Sequence, residues 1–114
     1  MYEYKAKVTD VYDGDTFRAN VDLGFDVWMN AISFRMYGIN APEMRGVNKA
    51  AGTVTRDRLR ELIMGKTIII KTHKDRQEKY GRWLADVFLE NGAYVNDMLV
   101  AELLALPFMT DVNT

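Results

Sequence analysis

Apolar and polar residues alternate through the first third of the chain, and then the period lengthens. Phe17, Ala19, Val21 and Leu23 fall on one side of a strand expected over about 15–22, with Thr16, Arg18, Asn20 and Asp22 on the other. Tyr4, Val8, Thr9, Val11 and Tyr12 predict a preceding strand over about 3–12, broken by an Asp13-Gly14 turn. After Gly24 a third strand over about 26–36 carries Trp28, Ile32, Phe34 and Met36, and Asn30 interrupts that face, as a bulge or an edge exposure would. The three strands read as a meander. Pro42 pushes Ala41 out of the helical region, so Gly38 to Pro42 reads as a loop.

A helical period follows over about 48–64, with Ala51, Thr55, Leu59, Leu62 and Ile63 on one stripe and Gly65 as its stop. β-Branched residues predict a strand over about 66–73, a charged loop over about 74–81, and a strand over about 82–90 around Trp83, Leu84, Val87 and Phe88. The Asn91-Gly92 turn leads to a second helix over about 95–105, with Met98, Leu99, Leu103 and Leu104 as core and Pro107 ending it. Residues 107–114 read as a frayed tail. The order β-β-β-α-β-β-α, mainly β with α, fits a five-stranded Greek-key barrel of the OB type, as one domain over 1–114.

Composition removes several classes. With 114 residues, 48% of them hydrophobic, the chain can build one core without staples. No cysteine is present, which excludes disulfides, thiolate metal sites and cysteine nucleophiles. Met1-Tyr2-Glu3-Tyr4-Lys5 shows no apolar h-region, so no signal peptide is expected, and no apolar run approaches the ~18 residues of a membrane span. A cytoplasmic location away from membranes is therefore expected, with a secreted mature form left open. Without heptads or a long unpaired apolar surface, a monomer is the expectation. The net charge of −1 is low for a general nucleic-acid binder, so any basic footprint is local. Lys71, Lys74, Arg76, Lys79 and Arg82 form one such cluster; Arg45, Lys49, Arg56, Arg58 and Arg60 form another.

The candidate chemistry lies in four short motifs: Asp13-Gly14-Asp15-Thr16, Arg35, Asn40-Ala41-Pro42-Glu43 and Lys79-Tyr80-Gly81-Arg82. Together they supply oxygen ligands for a hard cation, a carboxylate to manage a water, and two guanidinium forks matched to phosphate. Each motif alone is a turn or a surface charge. His73, the one histidine, reads as a strand-end surface residue without a partner.

In this order the motifs resemble the staphylococcal nuclease (thermonuclease) family over about residues 4–106, with Tyr80-Gly81-Arg82-Trp83-Leu84-Ala85 and Tyr94-Val95-Asn96 adding to the match. The resemblance implies a calcium-dependent phosphodiesterase. It would hydrolyse single-stranded or frayed DNA, and also RNA, with low sequence specificity, and leave 3′-phosphates. It implies one Ca2+, with Mg2+ or Mn2+ as alternatives, held by Asp15, by Asn40 and by the backbone carbonyl of Ala41. Glu43 would act on the water, and Arg35 and Arg82 would hold the phosphate. Beside the resemblance, the residues themselves offer Tyr80 to stack on a nucleotide and Lys79 and Lys49 to contact phosphates. Position 40 is usually aspartate in such enzymes, and here it is Asn40. Together with the near-neutral charge, Asn40 keeps an alternative open: a catalytically impaired module of the same fold that binds nucleic acid or protein without cleaving.

Overall fold

The computed structural model describes residues 2–77 and 81–108, for 74–77 the backbone only. Five strands close into a barrel in the order β1-β2-β3-β6-β5. The meander is β1 (Tyr2–Asp13), β2 (Thr16–Asp22) and β3 (Trp28–Met36), all antiparallel. β1 is long because it serves two neighbours. Its first half pairs with β5 (Thr67–Gln77) and its second half with β2. β6 (Trp83–Phe88) runs antiparallel to β5 and parallel to β3, which closes the wall. Closure removes the unpaired edges that an open sheet of this size would expose.

The inward positions of the alternating pattern fill the barrel: Val8, Val11, Phe17, Ala19, Phe34, Met36, Ile68, Ile70 and Val87 are fully or almost fully buried. Phe17 and Phe34 stack with ring centroids 5.3 Å apart. Helix α1 (Lys49–Ile63), entered through a single 3-10 turn at Gly46–Asn48, adds Leu59, Leu62 and Ile63 to this core. Gly65 follows with φ +70° and donates its N–H to Val8 O, which turns the chain into β5. Helix α2 (Val95–Ala101) contributes Val95 and Leu99, and its buried Asn96 ties three elements together. Asn96 accepts the Val87 N–H at 2.9 Å and donates to Tyr37 O at 2.8 Å.

Of the two readings of Asn30, the bulge is present. Two β3 residues lie between Met29 and Ile32 where β2 has one, and Ala31 takes φ 60°. Other expectations need correction. β5 continues to Gln77, so 74–77 is strand rather than loop, because β6 supplies a partner as far as that residue. The buried stripe of α1 runs through Gly52 rather than Ala51, which is exposed. α2 stops at Ala101, four residues early. Leu103 turns the chain at φ 63° and is 91% exposed, while the Leu104 and Ala105 N–H groups return to Leu99 O. That turn frees Leu106–Pro107 (β7) to pair with Ile39–Asn40 (β4), a short ladder that no periodicity announces. Residues 107 and 108 are therefore held, not frayed: Phe108 N–H donates to Gly38 O at 2.8 Å. Trp28, expected on the inward face, is 48% exposed beside the hairpin tip.

Candidate active site

At the β1–β2 turn the chain reverses tightly enough to bury a carboxylate. Asp13 Oδ1 accepts the Asp15 N–H at 3.1 Å, a side-chain turn of the kind aspartate favours. Asp15 O then accepts the Met36 N–H at 2.8 Å, and Thr16 lies opposite Arg35 in the β2–β3 register. Asp15 and Arg35 thus meet across one rung of the barrel wall. Arg35 Nη1 stands 2.8 Å from Asp15 Oδ2, with both side chains largely buried. The contact is poorly aligned for a hydrogen bond, so its attraction is ionic rather than directional. The other arm of Arg35 donates to Ile39 O at 3.1 Å and reaches Asn40 Oδ1 at 3.4 Å. Asp15 Oδ2 also accepts the Ala41 N–H at 2.8 Å. Arg82, one residue before β6, donates to Thr16 Oγ1 at 3.1 Å, and that hydroxyl faces Asp15 Oδ1 at 3.2 Å.

Two glycines let helix α1 brace this cluster. A Cβ on Gly14 would press into the Thr55 methyl and come within 2.7 Å of the Ala41 Cβ. A Cβ on Gly52 would drive into the Glu43 carbonyl, with Glu43 C at 2.8 Å and Pro42 O at 2.9 Å. One turn of α1 therefore rests on both the Asp13-Gly14 reversal and the backbone that carries Glu43. Thr55 secures that turn by donating to Leu104 O at 2.6 Å. On the far side, the Phe108 ring lies 5.7 Å from the Arg35 guanidinium, a cation–π distance set by the β4–β7 ladder.

Burial pushes the Asp13 carboxyl up to about 6, and the neighbouring Asp15 carboxylate adds to the shift. Negative charge is thus crowded at the reversal. Among the described residues no three His, Cys, Asp or Glu side chains converge as a metal cage. The residues that could hold a cation are Asp15 with neutral oxygens around it, Asn40 Oδ1 first among them, and this all-oxygen set suits a hard ion such as calcium. Such a cation would share Asp15 with Arg35 and relieve the charge crowding at Asp13.

The expected site residues separate into three groups. Asp15, Arg35, Asn40, Ala41 and Arg82 come together through direct contacts. Glu43 and Lys49 lie nearby in the chain but point outward. The Glu43 carboxylate is exposed, 3.9 Å from Arg45 Nε, and Lys49 opens α1 as an exposed residue. Lys79 and Tyr80 lie outside the described residues. Asp13, Thr16, Gly52 and Phe108 also belong to the assembly, although no role was expected of them. The first two stand inside a motif already singled out; Gly52 and Phe108 leave no local signal.

His73 departs from its expected isolation. Its Nε2 is 2.8 Å from Asp86 Oδ2, its ring stacks on Tyr37 with centroids 3.6 Å apart, and Tyr94 donates its hydroxyl to the other oxygen of Asp86. Burial and Asp86 push the Tyr94 phenol up, so it stays protonated and a donor.

Comparison with known proteins places the sequence in a family. Residues 33–113 match the family model described as staphylococcal nuclease homologue. Two curated relatives, from Escherichia coli O157:H7 and Escherichia coli, each named an uncharacterized endonuclease, are 31% identical to the chain over 94 residues. The match covers 82% of this chain and 54% of each relative, so the chain spans about half the length of the curated relatives it matches.

Proposed function

Because the chain belongs to the staphylococcal nuclease homologue family, we propose that it is a calcium-dependent nuclease acting on single-stranded or frayed DNA and RNA with low sequence specificity. The observation that carries this reading is the contact chain Arg82–Thr16–Asp15–Arg35, which sets two guanidinium groups on either side of one buried carboxylate. A pure binding module has no need to bury a carboxylate between two arginines.

In this reading Arg35 and Arg82 grip the scissile phosphate and hold the extra charge that develops as a water attacks in line. Thr16 keeps Arg82 aimed; Phe108 and the Ile39 carbonyl keep Arg35 aimed. Glu43 takes the proton of the attacking water. Its exposure in the free protein leaves it room to approach a bound strand. Asp15, Asn40 and the Ala41 carbonyl would hold Ca2+, which when bound supplies Lewis acidity toward a phosphate oxygen. Breaking the bond to the 5′-oxygen leaves a 3′-phosphate. Lys49, Lys79 and Tyr80 contact the strand beyond the scissile bond, where phosphate charge and base stacking give grip without sequence readout.

The test is digestion of an end-labelled single-stranded oligonucleotide in millimolar calcium, with chelator, magnesium and manganese arms and product ends identified. Chelator-sensitive fragments bearing 3′-phosphates, lost in Glu43→Gln, are expected. Binding without cleavage in any metal would instead make the chain a non-cleaving module of the same fold.

A further inference from the structure

Arg18 is the one arginine among the described side chains that meets neither an acceptor nor a carboxylate, and its Nε is buried without a hydrogen-bond partner. A buried donor left unpaired calls for an explanation. The ring of Tyr12 lies against it, 5.2 Å from the guanidinium carbon. Tyr12 is itself 40% exposed. It reaches this place through an irregularity. The β1–β2 register shifts between Val11 and Asp13, so Tyr12 has no cross-strand partner and turns outward while Val11 stays buried. Asp10, directly opposite Arg18, does not neutralise it, because its carboxylate bends back to the Val11 N–H at 2.9 Å.

The position of Arg18 gives this arrangement meaning. Arg18 is two residues beyond Thr16 on the same outward face of β2, about 7 Å along the strand. Thr16 is the residue that carries Arg82, and its cross-strand partner is Arg35; the corresponding partner of Arg18 is Ser33. One rung of the wall therefore presents the two phosphate-gripping arginines, and the adjacent outward rung presents a third beside a hydroxyl. That offset is of the same order as the spacing of neighbouring phosphates in an extended strand.

We propose that Arg18, seated on Tyr12, binds the phosphate next to the scissile one, so that the outer face of β2 and β3 forms a two-phosphate track. This rests on the nuclease reading above, and it adds a subsite in which charge supplies the attraction and the aromatic ring holds the guanidinium in place.

Binding of a fluorescent single-stranded oligonucleotide, measured by anisotropy in chelator across a salt series, tests the subsite without requiring cleavage. Arg18→Gln should weaken binding about threefold to tenfold at low salt and reduce the slope of log K against log salt by about 0.7, one phosphate contact. Arg18→Lys should keep the slope, and Arg58→Gln, remote on α1, should match the parent. Thermal melting confirms that each variant is folded. Unchanged affinity and slope in Arg18→Gln would overturn the subsite; if the parent cuts in calcium, the nuclease reading survives that result. Weakened binding by Arg18→Gln with a parent that never cuts would keep the subsite and remove the hydrolysis. A parent that binds no oligonucleotide would remove both.

Discussion

Asp13 holds the Asp15 N–H, Asn40 meets the Arg35 that pairs with Asp15, and the two side chains differ in what they do to charge at the site. Asp13 has a carboxyl raised from 3.8 to about 6. Below 3.8 it is protonated in both folded and unfolded chains. Between the two values the folded protein holds more protons, so the stability it contributes falls as pH rises through that window. Asp13→Asn keeps the acceptor for the Asp15 N–H and imitates the protonated form. In metal-free buffer it should flatten the pH dependence of denaturant midpoints between pH 4 and 6 and raise them at pH 7. Asn40 presents a neutral oxygen where a charged one would draw a cation more strongly. Asn40→Asp should tighten calcium binding by about an order of magnitude in calorimetry, since affinity follows ligand charge. Asp15, Arg35 and Arg82 stand out in the sequence because their motifs keep a fixed order, and the fold brings them together. The part played by Thr16, and the pairing of His73 with Asp86, depend on strands meeting in space. No single motif encodes that.

Among the elements, α1 decides where Glu43 stands. Gly52 is what allows the helix to close on the Pro42-Glu43 backbone. Gly52→Ala should therefore cost about 1–3 kcal/mol in denaturant unfolding, the range of an overpacked contact. It should also lower the cleavage rate more than it lowers affinity for an oligonucleotide, because Glu43 moves while the arginines remain. At the end of α2 the balance is reversed. Leu103 is exposed at φ 63°, so it bears backbone strain and gives little packing in return. Leu103→Gly should raise stability by about 0.5–1 kcal/mol, the strain relieved less the entropy gained by the unfolded chain. The barrel strands and α1 were legible because each buries one face, which imposes a period on its sequence. The β4–β7 ladder was not, since two-residue strands have no period. α2 was overextended for a related reason. Leu103 and Leu104 continue an apolar pattern that the turn at Leu103 ends.

At the scale of the molecule, the barrel separates two ends of different character. The β2–β3 rung at Thr16 and Arg35 carries the charged cluster. Six residues along β2, the hairpin exposes Leu23, Phe25, Val27, Trp28 and Met29, of which Leu23 and Met29 also line an apolar recess of about 160 Å³. No helix among the described residues is long and apolar enough to cross a membrane. The OB-type barrel expected from the element order is the fold observed, and membership of the nuclease family agrees with the motifs that first pointed to it. The function proposed above makes the carboxylate buried between the arginines the centre of phosphodiester cleavage. Its most direct test is the calcium-stimulated cleavage rate of a single-stranded oligonucleotide by the parent and by Asp15→Asn, with folding of both checked by circular dichroism. The variant should be slower by at least about 10²-fold, the scale of losing a preorganised charged group at a reacting centre. A folded Asp15→Asn protein cutting at the parent's rate, or a parent that does not cut, would contradict the claim.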